Sequence, residues 1–222
     1  MTAEILAVAG THMARDGAAA LSLRSIARDL GMAPSALYRY FDGRDALLSA
    51  LILAAYEALA DEAERAADEA DRAAGATGEV ERWLSVPRAL RLWALEHPHQ
   101  WGLIFGTPVP GYEAPEDTIA PYVRTAAALV RPLVVAHEAG RLHVDARRPP
   151  ASAELLAAVE PVSEGLFPGM PAETAVLALE AWTTIVGAIS LEVFGHWRKT
   201  VLDPGLFFDA TIVHAAEAVG LQ

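Results

Sequence analysis

Tyr38, Arg39 and Tyr40 stand in a row, and Arg44 follows four residues later, within the segment LSLRSIARDLGMAPSALYRYFDGRD that runs from Leu21 to Asp45. Phenol hydroxyls and guanidinium groups donate to phosphate oxygens and base edges, which is chemistry suited to a nucleic-acid surface. Leu37 and Phe41 lie four apart, so a helix through them buries one face and leaves the tyrosines and Arg39 on another. Pro34 fits the first position of that helix, and Pro34, Ser35 and Ala36 are small enough to let its amino end enter a major groove. Upstream, Ser22 can cap a short helix with a buried stripe of Leu23, Ile26, Ala27 and Leu30, closed by Gly31. Together these features form a helix-turn-helix. The plainer reading of the same residues is a three-helix subdomain with a cluster of surface tyrosines.

A second group is aromatic. Trp93, His97, Trp101 and Phe105 recur four apart across Pro98, and Phe167 and Trp182 come from other segments. Such residues line an effector cavity or simply fill a core. His97 and His99 flank Pro98 with only Glu96 as a neighbouring carboxylate, a pattern that does not call for a metal. No Ser-His-Asp set, phosphate-cradling glycine loop or catalytic carboxylate pair stands out, and the lack of cysteine excludes disulfides, thiolate zinc sites and cysteine nucleophiles. The expectation is a protein that is not an enzyme and needs no cofactor.

The elements that must position these residues are helical. The chain has 222 residues, 53% of them hydrophobic, and 46 are alanine, the strongest helix former. An all-α fold follows, with a helix from Thr2 to Asp16, the two short helices above, a long one from Ala46 to about Ala74, and others at roughly 79–96, 98–106, 116–140, 152–165, 172–197 and 204–219. Gly75 to Gly78 and Gly106 to Gly111 should break the chain between helices, and Pro132 should kink or split its helix. The domain boundary is placed at residue 45, giving a head of 1–45 and a ligand-binding and dimerisation body of 46–222. Ala181, Thr184, Ala188 and Leu191 on one helix, with Phe208, Ile212 and Val219 on the last, suit a four-helix interface in a homodimer; a single-chain core burying both faces is the alternative.

Charge separates the two parts. Residues 1–45 hold five arginines and five acids, so the net charge of -12 lies in the body. An acidic body repels DNA and confines any contact to the neutral head. The sixteen arginines against one lysine suggest a GC-rich bacterial source. The longest uncharged run, His97 to Tyr112, is interrupted by three prolines and fits no membrane span, and the first residues lack a basic start and apolar core. A cytoplasmic protein without a membrane partner is expected.

At Leu23 to Leu47 the chain resembles the TetR/AcrR family of bacterial transcriptional regulators, through SIARDLG, then ALYRYF, then the charged turn into ALL. The resemblance implies a dimeric, all-helical repressor whose larger domain binds a small molecule. Carried over, it assigns phosphate contacts to Ser22 and Arg24, a groove-facing role to Pro34, Ser35 and Ala36, contacts to bases or backbone to Tyr38, Arg39 and Tyr40, and a basic position after the recognition helix to Arg44. Three departures stand out: Ala33 replaces a capping Ser or Thr, Asp42 stands where Lys is common, and no basic arm precedes the first helix. The function expected is a repressor released from double-stranded, palindromic operator DNA by a small, mostly apolar effector. The alternative is a helical small-molecule-binding protein whose helix-turn-helix is structural.

Overall fold

The computed structural model describes residues 1–73, 78–106, 109, 112, 115–145 and 147–222, and among these it is helical without a strand. The expected breaks at Gly75 to Thr77 and at most of Gly106 to Gly111 lie outside the described residues. By compactness the chain divides into two units, Met1–Ala58 with His97–Tyr122, and Leu59–Glu96 with Val123–Gln222.

In the first unit, helix α1 (Thr2–Asp16) buries Ile5, Ala9, His12 and Met13, and Gly17, at φ 81°, ends it. A 3-10 turn at Ala18–Ala20 leads to α2 (Leu23–Asp29), whose Leu23, Ile26 and Ala27 are buried. Gly31, at φ 66°, turns the chain into α3 (Pro34–Leu37), with proline at its start. Next comes α4 (Arg44–Arg72), 29 residues long. Its first turns send Leu47, Leu48, Leu51 and Ile52 into the same core as Ile5, Ile26, Leu37 and Phe41, and Leu103 from α6 (Pro98–Phe105) packs against that core. The expected boundary at residue 45 falls in the first turn of α4. The compact unit also takes in the first half of α4 and the segment through Tyr122.

The second unit is built on α5 (Glu79–Glu96), α7 (Ile119–Glu138), α8 (Ala153–Ala158), α9 (Glu160–Leu166), α10 (Ala172–Val193) and α11 (Pro204–Ala218), with α10 packing on α5, α8, α9 and α11. Three sequence expectations change here. Of the kink or split expected at Pro132 the split does not occur, because one missing N–H removes a single bond from a ladder of 20 residues. The helix expected at 152–165 becomes α8 and α9, because Pro161 cannot continue the hydrogen-bonded ladder and instead starts a new helix. The helix expected at 172–197 stops at Val193, where Gly195, at φ 79°, lets the His196 amide donate back to the Leu191 carbonyl at 2.8 Å. The Asp203 cap of α11 forms as its sequence suggests, accepting from the Leu206 amide at 2.9 Å.

By length and composition, residues 116–138 and α10 are apolar enough to cross a membrane, but 44% and 50% of their windows are buried inside the protein, as in core helices. Past α11, the Gly220 carbonyl accepts from the His143 amide at 2.8 Å, pinning the strap after α7 to the end of the chain. Gly220 holds φ at 96°, and a Cβ there would meet the His143 carbonyl carbon at 3.0 Å. Gly220→Ala should therefore cost about 1–3 kcal/mol through strain and crowding, read as a thermal midpoint several degrees lower in circular-dichroism melting.

Candidate nucleic-acid interface

The interface begins with burial. Leu37 is fully buried and Phe41 nearly so, and these two anchors orient everything between them. Tyr38 and Tyr40 remain 47% and 46% exposed, and Arg39 is exposed beside them. The recognition helix is shorter than the expected Pro34 to Phe41. Regular α-helix ends at Leu37, and residues 38–40 continue as turns in which the Arg39 amide reaches Ala36 at 3.3 Å and the Tyr40 amide reaches Leu37 at 3.0 Å. The Phe41 amide also reaches Leu37, so the winding stays helical while the bonds tighten to the 3-10 type. At the other end Pro34 and Ser35 are exposed and Ala36 is half-buried, and Ala33 caps α3 with no side-chain bond.

Ser22 stands at the start of α2 without bonding an amide through its side chain. Its carbonyl instead accepts from the Ser25 hydroxyl at 2.9 Å. Arg24 is exposed. Arg44 is half-buried, and its Nη2 donates to the Ala18 carbonyl at 3.0 Å, so part of the expected DNA-contacting guanidinium already ties α4 to the 3-10 turn. Asp42 is exposed in the turn between them.

One cluster escaped the sequence reading. His12, nearly buried on α1, lies with Nε2 2.7 Å from the Asp29 carboxylate at the end of α2 and Nδ1 3.5 Å from the Ser25 hydroxyl. A histidine within the apolar stripe of Ile5, Ala9 and Met13 was the available signal, but its partner lies 17 residues away and emerges only from packing. The His12 hydrogen bond holds the Asp29 carboxyl below the usual range.

The aromatic set divides between the two units. Trp101 is fully buried in the first, its ring 4.4 Å from Phe105, and His97 is exposed at the start of α6. Trp93 and Phe167 are buried in the second, where Trp182 is half-buried. The expected dimer set also divides. Ala181, Ala188, Phe208, Ile212 and Val219 are buried by their own chain and so are not free to meet a partner, whereas Thr184 and Leu191 stay exposed. The same region exposes Phe194, Leu206 and Phe207.

A family profile described as "Bacterial regulatory proteins, tetR family" matches residues 5–51, and "Tetracyclin repressor-like, C-terminal domain" matches residues 83–215. The chain belongs to the TetR family. The HTH-type transcriptional regulators Rv1816 of Mycobacterium tuberculosis and Mb1846 of Mycobacterium bovis are each 38% identical over 214 residues, covering 94% of this chain and 87% of theirs. The crystal structure of putative regulatory protein SCO4313 has a TM-score of 0.77 at 35% identity, covering 97% of this chain and 95% of the other. A Rhodococcus protein of unknown function shares the fold, with a TM-score of 0.67 at 24% identity and coverage of 98% and 92%. The protein is thus a DNA-binding transcriptional regulator with a helix-turn-helix head and a larger helical carboxy-terminal domain, and its relatives are regulators rather than enzymes.

Because the lowered Asp29 carboxyl stabilises the head only while ionised, the contribution of the His12–Asp29 pair is present above about pH 4, the ordinary Asp value, and is lost as pH falls through the lowered one. His12→Gln should melt below wild type above that pH, with the gap closing in acid, measured as thermal midpoints across a pH series.

Proposed function

We propose that this regulator is a cytoplasmic homodimeric repressor that leaves a palindromic operator when a small, mostly apolar effector binds its body. The observation that supports it is the face of Tyr38, Arg39 and Tyr40, held outward by the buried Leu37 and Phe41 on a head without net charge. In this reading residues 1–45 are the DNA-reading module. Ser22, Arg24 and Tyr40 contact phosphates, Pro34, Ser35 and Ala36 face the groove, Tyr38 lies against the backbone, and Arg39 reads a base edge. Arg44 contributes the part of its guanidinium not held by Ala18.

Within the second unit Trp93, Phe167 and Trp182 are the aromatic contacts proposed for the effector. An effector alters DNA affinity only through a difference in its binding to two arrangements. Helix α4 is the lever, since its first turns lie in the head core and its second half belongs to the body. One recognition helix reads few base pairs, and a two-fold dimer doubles the readout. Exposed Thr184, Leu191 and Phe207 on α10 and α11 form the surface proposed for the partner, replacing the residues that the chain itself covers.

Binding-site selection followed by gel shift tests the DNA reading. Tyr40→Phe should weaken binding to all sequences alike, whereas Arg39→Ala should relax preference at one base pair by about 1–3 kcal/mol. An unchanged base preference in Arg39→Ala removes that residue from the readout, and no binding to any selected site removes the function. Leu191→Asp combined with Phe207→Asp should yield helical monomers in analytical ultracentrifugation; a variant that stays dimeric places the interface elsewhere.

A further inference from the structure

Arg82, near the start of α5, keeps only 19% of its side chain exposed. Its Nε is shut off from water and meets no acceptor among the described residues. The carboxylate it faces, Glu79, stands at 3.9 Å, beyond hydrogen-bond reach. That carboxylate is already engaged, because Arg141 donates to it through Nε at 2.8 Å and also through Nη2, and these bonds hold Glu79 below its ordinary range. A guanidinium withdrawn from water without an anion against it is costly.

Arg82 lines a hollow of about 370 Å³ between α4 and α5, and every lining residue belongs to the second unit. The other charged side chains of the hollow are paired. Arg65 bonds Glu62 at 2.9 Å and Glu69 at 2.7 Å, and Arg88 bonds Glu81 at 2.5 Å and Asp209 at 3.0 Å. The Ser85 hydroxyl is turned to the backbone, donating to the Arg82 carbonyl at 2.7 Å. Among the lining residues the positive charge left over is therefore the one on Arg82. The rest of the wall is apolar, with Ala66 and Ala70 on α4 and Ala89 and Leu92 on α5. Leu92 is 58% exposed, and Ala89 lies two turns, about 10 Å, along the helix from Arg82.

We propose that this hollow binds a small organic monocarboxylate, with its carboxylate on the Arg82 guanidinium and its carbon chain on Ala66, Ala89 and Leu92. The planar fork of arginine matches the two oxygens of a carboxylate. A phosphate dianion fits less well, because one unpaired guanidinium faces it while Glu62, Glu69 and Glu81 line the same hollow. An ammonium meets the like charge of Arg82. The aromatic residues proposed for the effector, Trp93, Phe167 and Trp182, do not line the hollow, so the site is a separate one and stands without that reading.

Hexanoate is the probe, with hexanol, hexylamine and inorganic phosphate as its controls, all titrated into the full-length protein. The readout is the side-chain Nε–H resonance of Arg82 in nitrogen-15 spectra, identified by its absence in Arg82→Lys. Hexanoate should move this resonance saturably, and hexanol and hexylamine should leave it in place. Arg82→Gln should weaken hexanoate binding, measured by calorimetry, at least about tenfold, the weight of a hydrogen bond to a charged group. Trp182→Ala should bind hexanoate as the native protein does. A resonance unmoved by hexanoate through the millimolar range overturns the proposal, as does native affinity in a folded Arg82→Gln variant. Phosphate binding as tight as that of hexanoate overturns the carboxylate class, and loss of hexanoate binding in Trp182→Ala but not in Arg82→Gln puts the ligand among the aromatic residues instead. If Arg82→Gln does not fold, the resonance in the native protein decides alone.

Discussion

The regulator depends first on the burial of Leu37 and Phe41. These side chains bracket a stretch too short to be stable by itself, and their removal from water fixes which way Tyr38, Arg39 and Tyr40 point. The core that receives them also takes the first turns of α4. The DNA-reading surface and the start of the long helix are therefore parts of one packing solution, and the Arg44 bond to Ala18 adds a polar tie across the same joint. Displacement of one disturbs the other.

Electrostatics divides the labour. The head has no net charge and can approach a phosphate backbone, while the body carries the excess of acid. Several of the body's arginines are paired locally with acids. Arg91 forms a two-pronged pair with Glu192 at 2.7 and 2.6 Å, and Arg88 reaches Asp209 at 3.0 Å, each joining α5 to one of the last two helices. Arginine suits these positions because its planar fork meets a carboxylate at two points.

The helices were legible in the sequence for local reasons. Proline at the start of α3 and α6, glycine after α1 and α2, and Asp203 before α11 act within a turn of where they stand, so their effect can be read without tertiary information. The four-residue spacing of Leu37 and Phe41 likewise exposed the tyrosines by geometry alone. Long-range choices were not legible. The faces of α10 and α11 are apolar on more than one side, and periodicity does not say which side the chain itself covers; Phe208 and Ile212 proved to be internal. His12 looked like an interruption of an apolar stripe until Asp29 stood opposite it, and Trp93, His97, Trp101 and Phe105 shared a spacing but not a compact unit.

Helices α2 and α3 have seven and four residues, below the length at which a helix persists in water. Their backbone amides have no route to slow exchange of their own. Protection must come from the shared core, so hydrogens on the recognition segment exchange when the whole head opens and not by fraying of one helix. The segment from Pro34 to Phe41 therefore keeps its helical form only while that core stays closed.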